Sequence, residues 1–208
     1  MKISVILSYL IISTVSATPV LAQNAYVSLG RQALMDGDFR TAAKHLEKAC
    51  VVDSNNTNAL WMLGYSYFHN ESYKKAISTY TRVITLKPAD CMAYYYRALA
   101  QGRLAKDALA TNTEKDKGML GAIIDFTKAI EIEPTDMKIY QNRGIAYREY
   151  GVFKLQSSKP NDKARGINSL RASINDLEKV LDNDQSRSDI ASLLELSKEK
   201  LASALGHH

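Results

Sequence analysis

The sequence has 208 residues, 46% of them hydrophobic and 24% charged, which is ordinary for a soluble single-domain protein and argues against disorder of the chain as a whole. Its formal charge of +5 comes without a dense basic stripe interleaved with exposed aromatics, so no nucleic-acid partner is expected.

Lys2 precedes an apolar run from Ile3 to Ile12, and a small-residue segment ends Val20-Leu21-Ala22 before Gln23. That is the layout of a secretory signal peptide over residues 1–22, cut after Ala22 or, as a second site, after Ala17. The alternative is a short membrane anchor, although the run is too short to span comfortably and no cysteine near the cut supports a lipid-attached form. No later stretch is apolar enough to cross a bilayer. An exported protein is therefore expected, in the periplasm first and outside the cell second, with no stable membrane insertion after cleavage.

From residue 23 to 56, Tyr26, Leu29, Gly30 and Ala33 fall at helical spacing, Gly37-Asp38-Phe39 makes a turn, and Ala42, Leu46 and Ala49 make a second helix. Residues 57–90 repeat the pattern more clearly. Leu60, Leu63, Gly64 and Tyr67 form one face of a helix, and after a polar turn Tyr73, Ala76, Ile77, Tyr80, Val83 and Ile84 form another. Gly64 and Ala76 allow the two helices to approach closely. Pro88, which lacks a donor and disfavours helix before it, ends the second near Leu86. In Leu60, Leu63, Gly64, Tyr67, Tyr73, Ala76, Tyr80, Val83 and Pro88 the unit resembles a tetratricopeptide repeat (TPR), a helical hairpin of about 34 residues. One residue departs from the family: Glu71 stands in the turn where glycine is favoured.

The third copy, 91–136, contains Tyr94, Arg97, Ala98 and Gln101, then Ala122, Phe126, Ala129, Ile132 and Pro134. Between its halves are about twelve extra residues, from an extension of the first helix through Leu109 into the polar run 111–118, read as an exposed loop. The fourth copy, 137–187, has Tyr140, Arg143, Gly144 and Tyr147, an insertion of about seventeen residues around Ser157 to Asp162, then Ile174, Leu177, Val180 and Leu181. Residues 188–208 hold a capping helix and tail, with Ile190, Leu193, Leu194, Leu201 and Leu205 on one stripe. The fold class is all-α. The resemblance implies an α-solenoid, a right-handed superhelix of about four TPR hairpins closed by the C-terminal cap.

Cys50 and Cys91 fall either side of a whole repeat, farther apart than a disulfide allows, and are expected as two small packing residues. No HExxH, CxxC, phosphate-cradling glycine loop or GxSxG occurs. His45 and His69 lie on different helices. His207 and His208 form a tail without further ligands, and Asp125 and Asp176 precede lysines at the spacing of local surface pairs. No catalytic site, metal or cofactor is expected, and the chain reads as a non-enzymatic one.

On the first helix of the second repeat, Trp61, Tyr65 and Phe68 form a second apolar stripe apart from Leu60, Leu63 and Tyr67. The resemblance implies that first helices line the concave side of the superhelix, which places Arg31 and Met35 of the first repeat, Tyr95, Leu99 and Arg103 of the third and Arg148 of the fourth beside these three. The lining expected is an aromatic and aliphatic centre flanked by arginines, the side chains that most often anchor protein interfaces. It would grip an apolar, partly acidic segment of a protein partner. The alternatives are self-association through the same face, giving a homo-oligomer, rings that only fill space between repeats, or a glycan or lipid on the aromatics. A chaperone-tail clamp of paired lysine and asparagine is not expected, because Val27, Arg31, Trp61, Tyr65, Tyr95, Leu99, Gln141 and Ile145 occupy its positions.

Overall fold

Several helices in the computed structural model start where a short polar side chain takes up a free backbone amide. Asp38 accepts from Thr41, Asn56 from Ala59, Asp90 from Ala93 and Asp136 from Lys138. The structure describes residues 21–206, so most of the expected leader and both terminal histidines lie outside the described residues. Helix α1 covers 21–35, and α2 to α9 are Phe39–Val52, Thr57–His69, Tyr73–Leu86, Cys91–Ala105, Asn112–Ile132, Met137–Leu155, Asp162–Asn183 and Ser188–Leu205. No strand occurs among the described residues, as the all-α reading requires.

The small residues of the first helices set the hairpin contacts. A Cβ on Gly30 would lie 2.6 Å from Leu46 Cγ, one on Gly64 2.9 Å from the Tyr80 ring and one on Gly144 3.1 Å from Leu177 Cγ. The same small-against-large contact thus recurs in three hairpins and brings each helix pair within reach of its whole apolar face. Glu71 adopts a left-handed backbone, φ 58°, at the turn between α3 and α4. The hairpin tolerates this non-glycine residue at a cost of about 1 kcal/mol.

The chain divides into two compact units, one ending at Pro88 and the other beginning at Ala89. In the first, α2 packs on α3 and α3 on α4, around the sealed side chains of Leu46, Leu60, Tyr80 and Val83. In the second, α5 packs on α6, α6 on α7, and α7 on α8, with Phe126, Ile139, Leu177 and Ile190 in the core. Helix α9 closes this unit against α8 and α7 through Ile190 and Leu194 and ends at left-handed Gly206. Cys50 and Cys91 are free thiols, each buried in its own unit.

The insertion of the third copy differs from the sequence reading, and that of the fourth is centred where the sequence places it. Helix α5 stops at Ala105, leaving Leu109 exposed, and the run from 112 to 118, expected as a loop, forms the first two turns of α6. A capping box explains it: Thr111 Oγ1 accepts from Glu114 N at 3.3 Å, while the Glu114 carboxylate accepts from Thr111 N at 2.8 Å. In the fourth copy the extra residues lengthen both α7 and α8 and leave only a short connection between them. The two extensions meet backbone to backbone, since a Cβ on Gly166 would lie 2.9 Å from the Gly151 carbonyl oxygen.

Candidate functional site

Helix α3 carries two apolar faces because small and aromatic residues alternate around it. Leu60, Leu63, Gly64 and Tyr67 are buried on one, and Trp61, Tyr65 and Phe68 are half-buried on the other. The Trp61 and Tyr65 rings, one turn apart, stack with centroids 5.6 Å apart and 15° between planes, and Trp61 meets the Tyr80 edge at 6.4 Å. His69 continues the row 4.2 Å from Tyr65, and Phe39 at the start of α2 stacks on His69 at 4.8 Å. Phe68 stands edge-on to His69 and to Tyr73. The result is a ring cluster spanning α2, α3 and α4, which holds the aromatic face in one geometry. Partial desolvation beside these rings holds the pKa of the His69 imidazole below its ordinary value, although the residue is still exposed. On α1, Arg31 is exposed and Met35 is 76% exposed.

In the second unit the expected lining residues part company. Tyr95 is 4% exposed and belongs to the core, which corrects its assignment to an open wall. Its ring meets Phe126 edge-on at 5.8 Å, its hydroxyl accepts from Asn142 Nδ2 at 3.2 Å, and burial pushes its pKa up to about 12. Leu99 is half-buried against the same core. Arg103 is exposed, whereas Arg148 is half-buried with its Nε sealed from solvent and without a hydrogen-bond partner.

Two ion pairs missed by sequence reasoning sit inside the hairpins. Arg97 of α5 donates two hydrogen bonds of 2.7 Å to Asp125 of α6, and Arg143 of α7 donates two of 2.8 Å to Asp176 of α8. Asp125 and Asp176 are 3% and 6% exposed, so they are buried partners of arginine and not the local surface partners of lysine. Gln101 adds a donor to Asp125, and Arg143 Nη1 donates to Thr127 Oγ1. The available signal was positional. Arg97 and Arg143 stand where the first two copies have Leu29 and Leu63, and the aspartates stand where those copies have His45 and Thr79.

Among the described residues, no group of three or more histidine, cysteine or acidic side chains could hold a metal ion, and no helix is long and apolar enough to cross a membrane.

Residues 35–111 match the family model for the anaphase-promoting complex, cyclosome, subunit 3. No curated protein matches the chain. Among solved structures, MamA 41-end from Desulfovibrio magneticus RS-1 is similar with a TM-score of 0.66 and 17% identity, over 89% of this chain and 90% of that one. A thermophilic TPR protein of Thermus thermophilus is similar over 88% of this chain and 98% of its own, with a TM-score of 0.52 and 17% identity. The pilF protein of Pseudomonas aeruginosa gives 0.52 at 18% identity, over 90% of this chain and 73% of its own. At such identities the likeness shows the fold, which is of the tetratricopeptide type.

Proposed function

We propose that this tetratricopeptide-type chain is an exported, non-enzymatic scaffold that holds a segment of a protein partner in the cell envelope. The observation that carries the reading is the second apolar face of α3, where Trp61, Tyr65 and Phe68 are locked by ring contacts without entering the core. Rigid rings of this kind give contact area at little entropic cost on binding. Arg31, exposed on α1 of the same unit, supplies charge for acidic positions of that segment. The leader-like residues 1–22 support the envelope location.

The test is a cross-linking pull-down of the mature protein from its native compartment, repeated with Trp61→Ala and Arg31→Glu. A partner captured by the parent and lost with both variants supports the reading, and equal capture by all three proteins overturns it. Trp61 is the only tryptophan, so its emission reports on the face directly. Quenching of Trp61 by acrylamide in the free protein should be relieved when the captured partner is added. Blue-shifted emission that resists the quencher from the outset would rule out an accessible face. Self-association is the second reading, favoured by the exposed apolar side chains of Leu29 and Met35 on α1. Dimers that form with concentration and dissolve on Trp61→Ala would establish it.

A further inference from the structure

The helix extensions of the third and fourth hairpins do more than lengthen them, because their ends border an open cavity of about 620 Å³. It lies in the second unit, between the first turn of α6, the last turn of α7 and the start of α8, and its volume is in the range of small-molecule sites. We propose that this cavity binds a neutral polyhydroxylated ligand of mono- or disaccharide size.

Lys154 is 4% exposed, and its Nζ lies 2.5 Å from Asp116 Oδ1 and 3.5 Å from Asp162 Oδ1. A buried ammonium between two carboxylates is a fixed element, since losing either partner would leave a charge uncompensated. Asp116 is tied by Lys154 and by the Tyr150 hydroxyl. Its Oδ1 is sealed against Lys154, while the side chain as a whole is 37% exposed and lines the cavity. The cavity is therefore lined by a carboxylate that is held still and still accessible, a pre-organised acceptor for hydroxyl groups.

Charge balance selects the ligand class. Lys154 and Lys159 face Asp116 and Asp162, so the lining is electrically even. An anion drawn to Lys159 would meet the carboxylates of Asp116 and Asp162, and a cation would meet two ammonium groups. At the α6 terminus the capping box takes up the amides of Thr111 and Glu114. Neutral hydroxyls fit instead. They donate to Asp116, accept from the amides of Asn112 and Gln156, and exchange bonds with the hydroxyl of Ser158. Phe153 contributes the one aromatic ring of the lining, on which the apolar side of a sugar can lie.

The test is titration of the isotope-labelled full chain with glucose, N-acetylglucosamine and maltose, followed by amide NMR, with inorganic phosphate and glycine in parallel. At least one of the sugars should give saturable shifts confined to residues 112–116 and 153–162. Phe153→Ala should weaken that binding about tenfold. Asn112→Ala, at an exposed position, should weaken it without moving the thermal midpoint. The proposal is overturned if no sugar saturates these segments, if phosphate or glycine does so instead, or if sugar shifts fall elsewhere or persist in both variants.

Discussion

The paired residues Arg143 and Asp176 show how a repeat protein can exchange one solution for another at a single position. Where the second hairpin puts Leu63 against a helix bearing Thr79, the fourth puts a guanidinium against a carboxylate, buried and doubly hydrogen-bonded. Sequence reasoning assigned Asp125 and Asp176 to lysines on their own helices because spacing along one helix is visible in a sequence and a partner on the next helix is not. In fact Lys128 pairs with Glu131 at 2.6 Å, and Lys179 lies 3.9 Å over the Tyr140 ring. Replacing one partner leaves the other charged and desolvated, so Arg143→Leu alone should cost about 3 kcal/mol, read as a lower urea midpoint. Adding Asp176→Thr should recover at least half of that loss, since it recreates the arrangement of the second hairpin. His69 gives a residue-scale prediction of the opposite kind. Partial desolvation beside Phe39, Tyr65 and Phe68 depresses its pKa in the folded state, so the unfolded chain binds the proton more readily. Stability should therefore fall as pH drops below about 6.5 and level off once the folded state is protonated too. Urea midpoints at about pH 7.5 and about pH 5 should differ less in His69→Phe than in the parent, and an unchanged difference would contradict this account.

At the scale of elements, the helix pairs and the end of α4 at Leu86 could be read from spacing and Pro88, because periodicity and breakers are properties of local sequence. The aromatic stripe of α3 was legible for the same reason. Tyr95 was not: it occupies the position equivalent to Trp61, but depth in the fold depends on Phe126 and Asn142 contributed by other helices. The insertion of the third copy is misread for a different cause. A polar run rich in lysine and threonine looks like a loop, yet Thr111 followed three residues later by Glu114 is a helix-start signal that composition hides. Gly151 and Gly166 were likewise open to interpretation, since glycine inside a helix marks a close approach as readily as a break. Here it is an approach, with each backbone against the other's carbonyl oxygen. Gly166→Ala should thus push α7 and α8 apart at their extended ends, at a cost of about 1–3 kcal/mol in urea unfolding. Amide exchange should rise first between 151 and 166, and a neutral effect would mean that the crossing is not tight.

For the whole molecule, the sequence predicts one domain from 23 to 187 plus a cap, and within the chain two compact units are divided between Pro88 and Ala89. Repeats read from sequence look equivalent because the motif carries no record of how strongly each hairpin adheres to the next. What differs is the amount of structure that each unit can rely upon. The second unit has the longest helices, both buried arginine–aspartate pairs and the closing helix α9, while the first holds a smaller core around Leu46, Leu60, Tyr80 and Val83. A larger unit buries a greater share of its surface and retains more net stability. Residues 89–208 expressed alone should consequently fold, with a helical circular-dichroism spectrum and a single cooperative thermal transition. Residues 23–88 alone should be helical but melt lower and more broadly, because few core residues support a cooperative change of this size. If the 89–208 fragment melted without cooperativity, its core would depend on the first unit, and the division at Pro88 would be one of contacts and not of stability.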